Sequence, residues 1–237
     1  MSKELVINRE EFQKYLNNLS KITDNAILDI KDGEISCVVT SEDRSLFLWS
    51  VMKGDFDFDT TLNLPSLRKL SKALNLVGGT DIKLKLNSNN LEYKGSIKFK
   101  YHLFDEGILH KPKLTLSKIK SLAYDTEFTL TKDFLRDLLK TSSVFNKTKK
   151  LYIYTDDGEL WWSLGDKTAA NSDVFCVSSG PVDFELDDFI LNLDNVSLLS
   201  FGDKPVVDVR VNNMGIGNFH SDSGNITLDY IVSSLTK

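Results

Sequence analysis

The chain carries the same order of predicted elements twice, and this duplication limits its fold more than any other feature. An Asp-Gly pair between alternating apolar runs predicts a tight hairpin turn. Such pairs occur at Asp32-Gly33 and again, about 125 residues later, at Asp157-Gly158. Further matches at nearly the same offset are Asp57-Phe58 with Asp183-Phe184 and Ile82 with Val207. A repeat of roughly 120 residues has the size of a domain and is too long for a solenoid unit. We therefore predict two similar α+β domains.

Each half follows the order helix, hairpin, strands, short helix, strands. Between the halves, residues 105–124 contain Gly107, Pro112, several lysines and scattered aliphatic residues. This composition is typical of a connector and breaks the periodicity on either side. The predicted organisation is a first domain at 1–104, a connector at 105–124 and a second domain at 125–237.

Three segments place apolar residues at the spacing of a helix that packs on a core. The segments are 8–22, 62–77 and 131–145. Asn8 and Thr131 are predicted N-caps, and Pro65 suits the first turn of the second helix. In the third helix the apolar face consists of Phe134, Leu135, Leu138, Leu139 and Phe145.

Basic residues lie off the apolar face of all three helices. They are Lys14, Lys21, Arg68, Lys69, Lys72, Lys132, Arg136 and Lys140, with Lys147 just beyond. On a single helix such residues are most often an ordinary solvated face. Three helices in duplicated positions, in a protein of net charge −5, favour a local basic surface that can attract nucleic acid. A fourth helix, expected at 192–201, carries Asp194 and no Lys or Arg.

The composition fits a soluble globular protein, with 41% hydrophobic and 27% charged residues. No stretch approaches the roughly 18 apolar residues of a membrane span, and the N-terminus lacks the apolar region of a signal peptide. Cys37 and Cys176 are isolated, which is typical of a reducing compartment. We expect a cytoplasmic protein with no membrane partner.

Little in the sequence indicates catalysis. His102, His110 and His220 show no metal-ligand spacing, and neither cysteine has a neighbouring histidine. The alternating aspartates of residues 55–59 favour an exposed acidic strand face over a cation site, because the glycine and glutamate of a calcium loop are missing. We expect no enzymatic activity, no metal and no cofactor.

Two other local patterns have structural explanations. Gly215-Ile216-Gly217 lacks the third glycine and the strand–turn–helix setting of a dinucleotide site, which favours a turn. Trp161 and Trp162 are adjacent on a predicted strand and must therefore face opposite sides, one of them toward the core.

Three stretches carry a resemblance to a known family: LVINREEFQKYL (5–16), LPSLRKLSKAL (64–74) with DIKLKL (81–86) after a glycine turn, and DTEFTLTKDFLRDLL (125–139). With the duplicated organisation, which covers nearly the whole chain, they resemble the two-domain, trimeric DNA polymerase sliding clamps of archaea, eukaryotes and tailed phages. The resemblance implies an α+β fold of two similar sliding-clamp (DNA clamp) domains, each with two helices packed on antiparallel sheets. Helices then line a central hole, and sheets form the outer wall.

The resemblance also implies a function. The chain is then a non-catalytic processivity factor, a homotrimeric ring that encircles double-stranded DNA without sequence preference. It tethers the replicative DNA polymerase and needs an ATP-dependent clamp loader. The compact size suggests a tailed-phage origin, with the host cytoplasm as its location.

Three sets of site residues follow from the resemblance. The eight basic residues named above face DNA. A partner-peptide pocket beneath the connector includes Val39, Leu46, Ile108, Leu109, Tyr230 and Val232. The subunit interface pairs Lys98, Lys100 and Leu103 of one copy with Val174, Cys176 and Ser178 of the next. Taken singly, the pocket residues are more often core or loop packing.

Two alternatives remain at this stage. A monomeric processivity subunit of the same fold can hold DNA electrostatically on one basic face, and its binding then falls steeply with salt. A β-rich structural or assembly protein without a DNA role shows no DNA dependence at all.

Overall fold

Strands whose residues alternate between buried and exposed build most of the structure. In the first strand Leu5 and Ile7 are buried, whereas Glu4 and Val6 are exposed, as a pleated strand with one covered face requires. This computed structural model describes residues 3–144, 149–167, 169, 172–201 and 205–235. The chain groups into two compact units, Met1–Lys120 with Asp222–Leu228, and Ser121–Ser221 with Asp229–Lys237.

Unit 1 contains two four-stranded antiparallel sheets and two main helices. Its elements are β1 (Lys3–Asn8), α1 (Arg9–Ser20), β2 (Ala26–Lys31), β3 (Glu34–Thr40), β4 (Leu46–Lys53), β5 (Thr60–Leu64), α2 (Leu67–Asn75), β6 (Asp81–Asn87), β7 (Asn90–Lys94), β8 (Lys98–His102) and the short α3 (Leu116–Lys120). The strand orders are β1-β6-β7-β8 and β5-β2-β3-β4.

Unit 2 repeats this plan. Its elements are β9 (Thr126–Thr131), α4 (Lys132–Ser142), β10 (Lys150–Asp156), β11 (Glu159–Leu164), β12 (Phe175–Pro181), β13 (Phe189–Asn192), α5 (Leu193–Leu198), β14 (Val206–Val211), β15 (Ile216–Asp222) and β16 (Ile226–Ser233), of which the part from Asp229 groups with unit 2. The strand orders are β9-β14-β15-β16 and β13-β10-β11-β12.

The duplication predicted from the sequence therefore extends to strand order. Both units follow β-α-β-β-β-β-α-β-β-β, which makes α1 equivalent to α4, α2 to α5, β4 to β12 and β8 to β16. In β6 Ile82 lies opposite Ile7 of β1, and in β14 the matching Val207 lies opposite Leu130 of β9. The predicted fold class is confirmed, since each unit has two helices on antiparallel sheets.

Each unit has its own apolar core. In unit 1 Phe12, Tyr15 and Leu16 of α1 are fully buried. In unit 2 Trp162 is fully buried beneath Phe128 and Phe134, whose rings meet it edge-on. Alternation along the strand then turns Trp161 to the other face, where it is half-buried.

The predicted start of the second helix is wrong. Residues 62–64 belong to β5, where Leu62 and Leu64 are buried, and Pro65 precedes the helix. The N-cap is Ser66, whose hydroxyl accepts a hydrogen bond from the amide of Lys69 at 3.1 Å. The other two predicted caps are confirmed, because Asn8 accepts from the amide of Glu11 and Thr131 from that of Phe134.

The region predicted as a connector contains a short helix, α3, which the scattered aliphatic residues of 105–124 did not indicate. The domain boundaries at 1–104, 105–124 and 125–237 stay predictions. Phe145 and Lys147 lie outside the described residues. Within the described part of the chain, no helix has the length and apolar character needed to span a membrane.

Candidate functional site

In unit 1, α1 and α2 form an antiparallel pair fastened by polar contacts. Gln13 Nε2 donates to the carbonyl of Ser71 at 2.9 Å and to Asn75 Oδ1 at 2.7 Å, and Ser71 Oγ donates to Asn17 Oδ1 at 2.8 Å. Gln13 and Ser71 are buried, so these bonds satisfy groups that would otherwise be costly to bury. The contact fixes which faces of the two helices point outward.

The outward face of α2 is basic. Arg68, Lys69 and Lys72 are exposed, and α2 contains no acidic residue. Arg68 also has a structural role, since its Nη2 donates to the carbonyl of Ser20 at the end of α1, 2.9 Å away. Lys69 and Lys72 make no ion pair with any described residue, so their ammonium groups are available to an anionic ligand.

The outward face of α1 is mixed in charge. Lys14 and Lys21 are exposed, but Glu10 and Glu11 lie in the first turn of the helix. Desolvation by surrounding protein lowers the pKa of Lys21 from its ordinary value, although the residue as a whole is exposed. Lys14 therefore lies one turn from two carboxylates, whereas Lys21 lies at the other end of the helix.

In unit 2 the predicted basic residues of α4 are matched by aspartates. Arg136 Nη1 lies 2.8 Å from Asp133 Oδ1, and Arg136 Nε lies 3.5 Å from Asp137 Oδ1. Lys140 Nζ lies 3.4 Å from the same Asp137 oxygen. These four exposed side chains form one stripe of alternating charge, while Lys132 is half-buried at the start of the helix.

The fourth predicted helix corresponds to α5, which is short and has no basic residue, as the sequence indicated. Asn192 caps it, accepting a hydrogen bond from the amide of Asp194 at 3.0 Å. The Asp194 carboxylate lies 2.6 Å from Lys149 Nζ. Positive charge is thus unevenly distributed, with the largest excess on α2.

The first of the predicted interface strands, β8, lies at a sheet edge. The backbone N–H of Leu103 donates to the carbonyl of Asn89, and that of Gly95 donates to the carbonyl of Ile97. The backbone N–H and C=O groups of the odd-numbered residues from 97 to 103 therefore point toward β7. Alternation then directs the backbone groups of Lys98 and Lys100 to the open edge. Leu103 itself follows the strand and is half-buried.

The second predicted interface strand, β12, is also an edge strand. Cys176 is exposed, with its Sγ donating to Ser163 Oγ at 3.4 Å, and Ser178 is half-buried. Val174 lies just before the strand and is 41% exposed. Such an edge offers unpaired backbone groups to another strand.

In unit 1 the strand equivalent to β12 is β4, and another segment of the chain covers its outer edge. Residues 222–228 group with unit 1, and the backbone N–H of Lys53 in β4 donates to the carbonyl of Asn225 at 2.8 Å. Asn225 Nδ2 also donates to Glu11 Oε1 at 2.8 Å. The edge of β4 is therefore covered, whereas no described residue covers β12 or β8.

Only part of the predicted peptide pocket lies at an accessible cavity. Val39 and Leu109 line a small cavity of about 120 Å³ in unit 1. Ile108, the residue before Leu109, is exposed. A larger cavity of about 390 Å³ lies between β2, β3 and β4 and residues 111–115, with Trp49 and Pro112 in its lining. Apolar anchors from a partner can enter spaces of this kind.

The remaining predicted pocket residues are core residues. Leu46, Tyr230 and Val232 have no exposed surface. The Tyr230 hydroxyl donates to the carbonyl of Ser200 at 2.9 Å, and burial raises its pKa well above the ordinary value. Contact with a peptide would require these side chains to become exposed, so they fit the pocket less well than the half-buried Leu109. Val39 borders the small cavity but is itself buried, at 3% exposure.

The predicted strand face of aspartates is wrong, because residues 54–59 lie outside the strands. Phe56 is buried there, and Phe58 is half-buried. Across the described ranges, no group of three or more metal-ligating side chains comes together. Gly215 lies in the turn between β14 and β15, and His220 Nδ1 lies 2.9 Å from Asp229 Oδ1.

Two helices and two four-stranded sheets, repeated in a second unit, define a protein of sliding-clamp fold. Proliferating cellular nuclear antigen from Entamoeba histolytica matches at a TM-score of 0.74 and 15% identity, over 99% of this chain and 98% of that chain. A. fulgidus PCNA bound to the C-terminal region of FEN-1 matches at 0.73 and 11%, over 100% and 99%.

The DNA polymerase III beta subunit from Thermotoga maritima matches at a TM-score of 0.71 and 10% identity, over 99% of this chain and 66% of that chain. No protein-family model matches the sequence, and no curated protein matches it by sequence. At these identities the similarity establishes a shared fold, which spans the whole chain.

Proposed function

We propose that this chain is a non-catalytic DNA sliding clamp, a homotrimer that encircles duplex DNA and tethers a replicative polymerase. The observation that carries the proposal is the exposed basic face of α2, on a chain with the sliding-clamp fold throughout. An encircling protein needs only a positive lining, because topology retains it on DNA and base readout is unnecessary. Such a closed protein needs an ATP-dependent loader to open it.

The equivalence of the two units supports a specific way to close the ring. In unit 1, residues 222–228, which include the start of β16, cover the edge of β4. Since β12 is equivalent to β4 and β8 to β16, β12 of one copy can receive β8 of the next copy in the same manner. This contact is head-to-tail, and such contacts generate rings when the rotation closes. Pairing would also remove two exposed edges.

The proposal includes a peptide-binding site for replication proteins on unit 1. Support comes from the cavities beside Val39, Leu109 and Pro112, which are bounded by a sheet and an extended segment. The lining of the larger cavity combines apolar residues such as Trp49 and Pro112 with charged ones such as Asp29, and an extended peptide with apolar anchors can bind along such a surface. A. fulgidus PCNA, which shares the fold, was solved with the C-terminal region of FEN-1 bound.

A monomeric processivity subunit is the second candidate. The concentration of positive charge on α2 favours it, because one basic helix face can hold DNA without a ring. The two candidates differ in one property. A ring stays on closed circular DNA and leaves linear DNA through its ends, whereas a monomer binds both forms alike.

The test is sedimentation equilibrium over a wide concentration range, followed by retention on circular and linear DNA. We expect a concentration-dependent approach to three times 26.8 kDa. Lys100→Pro should block the trimer while leaving β7–β8 pairing intact, because the N–H of Lys100 points to the open edge. Lys100→Ser, which keeps that N–H, is the matched control. A wild-type chain that stays monomeric at high concentration would overturn the ring.

A further inference from the structure

The helices predicted to face DNA differ in how their charge can act on a phosphate backbone. On α2 the three cations Arg68, Lys69 and Lys72 have no acidic neighbour on the helix. On α4 the exposed stripe alternates acid and base, with both Arg136 and Lys140 within 3.5 Å of a carboxylate oxygen. The helices α2 and α4 each carry three predicted cations, but α2 has the greater net positive charge.

The distances decide what a phosphate experiences. At physiological salt the Debye length is about 8 Å, so a phosphate near Arg136 also experiences the carboxylates less than one helical turn away. Exposed ion pairs exchange readily, but their breaking does not remove the negative charge from the helix face. The Asp133 and Asp137 carboxylates occupy the same positions that phosphate oxygens would take on the guanidinium and ammonium groups.

The helix of unit 2 that corresponds to α2 does not share its positive charge. The helix equivalent to α2 is α5, which has one acidic and no basic residue, and its Asp194 is already paired with Lys149. On α1 the glutamates of the first turn accompany Lys14. Among the four helices at the predicted DNA-facing positions, α1, α2, α4 and α5, α2 alone carries several exposed cations and no acid of its own. The nearest carboxylate, that of Asp24, accepts a hydrogen bond from the Arg68 amide at the start of the helix, 2.9 Å away.

We infer that Lys69 and Lys72 of α2 supply the main attraction to the DNA backbone, and that Asp133 and Asp137 of α4 act as competing anions that weaken phosphate contact at Arg136 and Lys140. The inference rests on the proposed clamp function and assigns unequal roles within it. A weakly attractive α4 surface lowers friction, since every phosphate contact must break before the protein can slide.

Three double variants of the full chain test this inference. The measured quantity is the apparent affinity for a fluorescent linear duplex between 50 and 200 mM salt, with its salt dependence. Lys69→Gln with Lys72→Gln should reduce the log–log salt slope by roughly 2, at about 0.9 for each lost phosphate contact. Arg136→Gln with Lys140→Gln should reduce it by less than half as much. Asp133→Asn with Asp137→Asn should tighten binding severalfold.

Lys31→Gln with Lys53→Gln is the charge-matched control, because it removes two exposed lysines from strands instead of α2. It should change the slope much less than the α2 variant. Asp137→Asn alone serves as a second variant if loss of the first-turn Asp133 disturbs the helix. Its carboxylate contacts both basic residues, so tighter binding is expected from it as well.

The outcomes separate this inference from the proposed function. The unequal roles would be overturned if the double Gln variants of α2 and α4 reduced the salt slope equally. They would also be overturned if the aspartate variants bound DNA with unchanged affinity. Either result would leave a DNA clamp in place. A wild-type trimer that is not retained on circular DNA at any salt concentration would overturn the proposed function, and the inference with it.

Discussion

The ammonium of Lys111 lies 2.6 Å from one carboxylate oxygen of Asp29 and 2.7 Å from the other. Thr61 Oγ1 donates to the same carboxylate at 3.1 Å. Lys111 belongs to the segment after β8, and Asp29 to β2, so this ion pair fastens the segment across the sheet. It also borders the cavity of about 390 Å³.

Lys111→Met should loosen this segment without unfolding the protein. Both partners are substantially exposed, so the ion pair contributes about 1 kcal/mol or less to stability. We expect faster amide hydrogen exchange in residues 105–115 and little change in the free energy of unfolding. Lys113→Met, at a neighbouring exposed lysine, is the control. Exchange that is unchanged in both variants would show that the ion pair does not hold the segment.

His220 should make stability depend on pH. Its hydrogen bond to Asp229 raises the pKa of His220, against partial burial, and Asp208 adds to the effect while Arg210 opposes it. A raised folded-state pKa gives stability that is fully present below the unfolded value of about 6.5 and lost as pH rises through the folded value.

Urea unfolding of wild-type and His220→Gln between pH 5.5 and 8.5 measures this contribution. The difference between the two proteins should be greatest at the acidic end and should shrink as pH rises, by about 1 kcal/mol or less. His102→Gln, at an exposed histidine of β8, controls for the loss of an imidazole. A difference that grows with pH would contradict the assigned sign.

Trp162 should matter far more to stability than its neighbour. Its side chain is fully buried, and its Nε1 donates to Ser179 Oγ at 3.1 Å. Trp162→Ala should cost about 3–5 kcal/mol, because it leaves a large cavity in the core of unit 2. Trp161→Ala, on the opposite strand face, should cost about 1 kcal/mol. Urea denaturation followed by far-ultraviolet circular dichroism compares the two, and similar costs would contradict the assigned facing.

Gly165 should be intolerant of any side chain. Its φ is +122°, and an added Cβ would lie 2.6 Å from the carbonyl oxygen of Asp173. Gly158 has φ +76° and open space around it. Gly158→Ala therefore measures the conformational cost of a side chain without a clash, which is about 1–2 kcal/mol. Gly165→Ala should exceed that cost and displace the start of β12. Thermal unfolding and native mass measure both effects, and equal stability of the two variants would count against the predicted clash.

Local features of the sequence predicted most of the fold. The hairpin at Asp32-Gly33 and the cap at Asn8 depend on residues adjacent in sequence, so they could be inferred without a structure. The sequence did not indicate Ser66 as the cap, because Pro65 is a favourable first-turn residue. The strand before it is shown by the pairing of Leu62 and Leu64 with β2, which lies far away in the sequence. The cap also depends on Asp24, which is distant in sequence and hydrogen-bonded to Ser66.

The candidate site was predicted less completely. The aspartates of α4 lie three residues before Arg136 and Lys140, a spacing at which opposite charges meet on a helix. These ion pairs could therefore have been predicted from the sequence alone. The covering of β4 by residues around Asn225 could not be foreseen, because nothing local to either segment indicates the pairing.

This long-range pairing has a consequence for synthesis. Unit 1 includes residues 222–228, so it is incomplete when its first 120 residues have left the ribosome. At roughly 5–20 residues per second, the remaining hundred or so residues take on the order of 5–20 s to appear. Throughout that interval β4 is an open edge on a nascent chain. Neighbouring ribosomes on one message hold several such edges close together, so the order of translation exposes this protein to mispairing that the finished fold avoids.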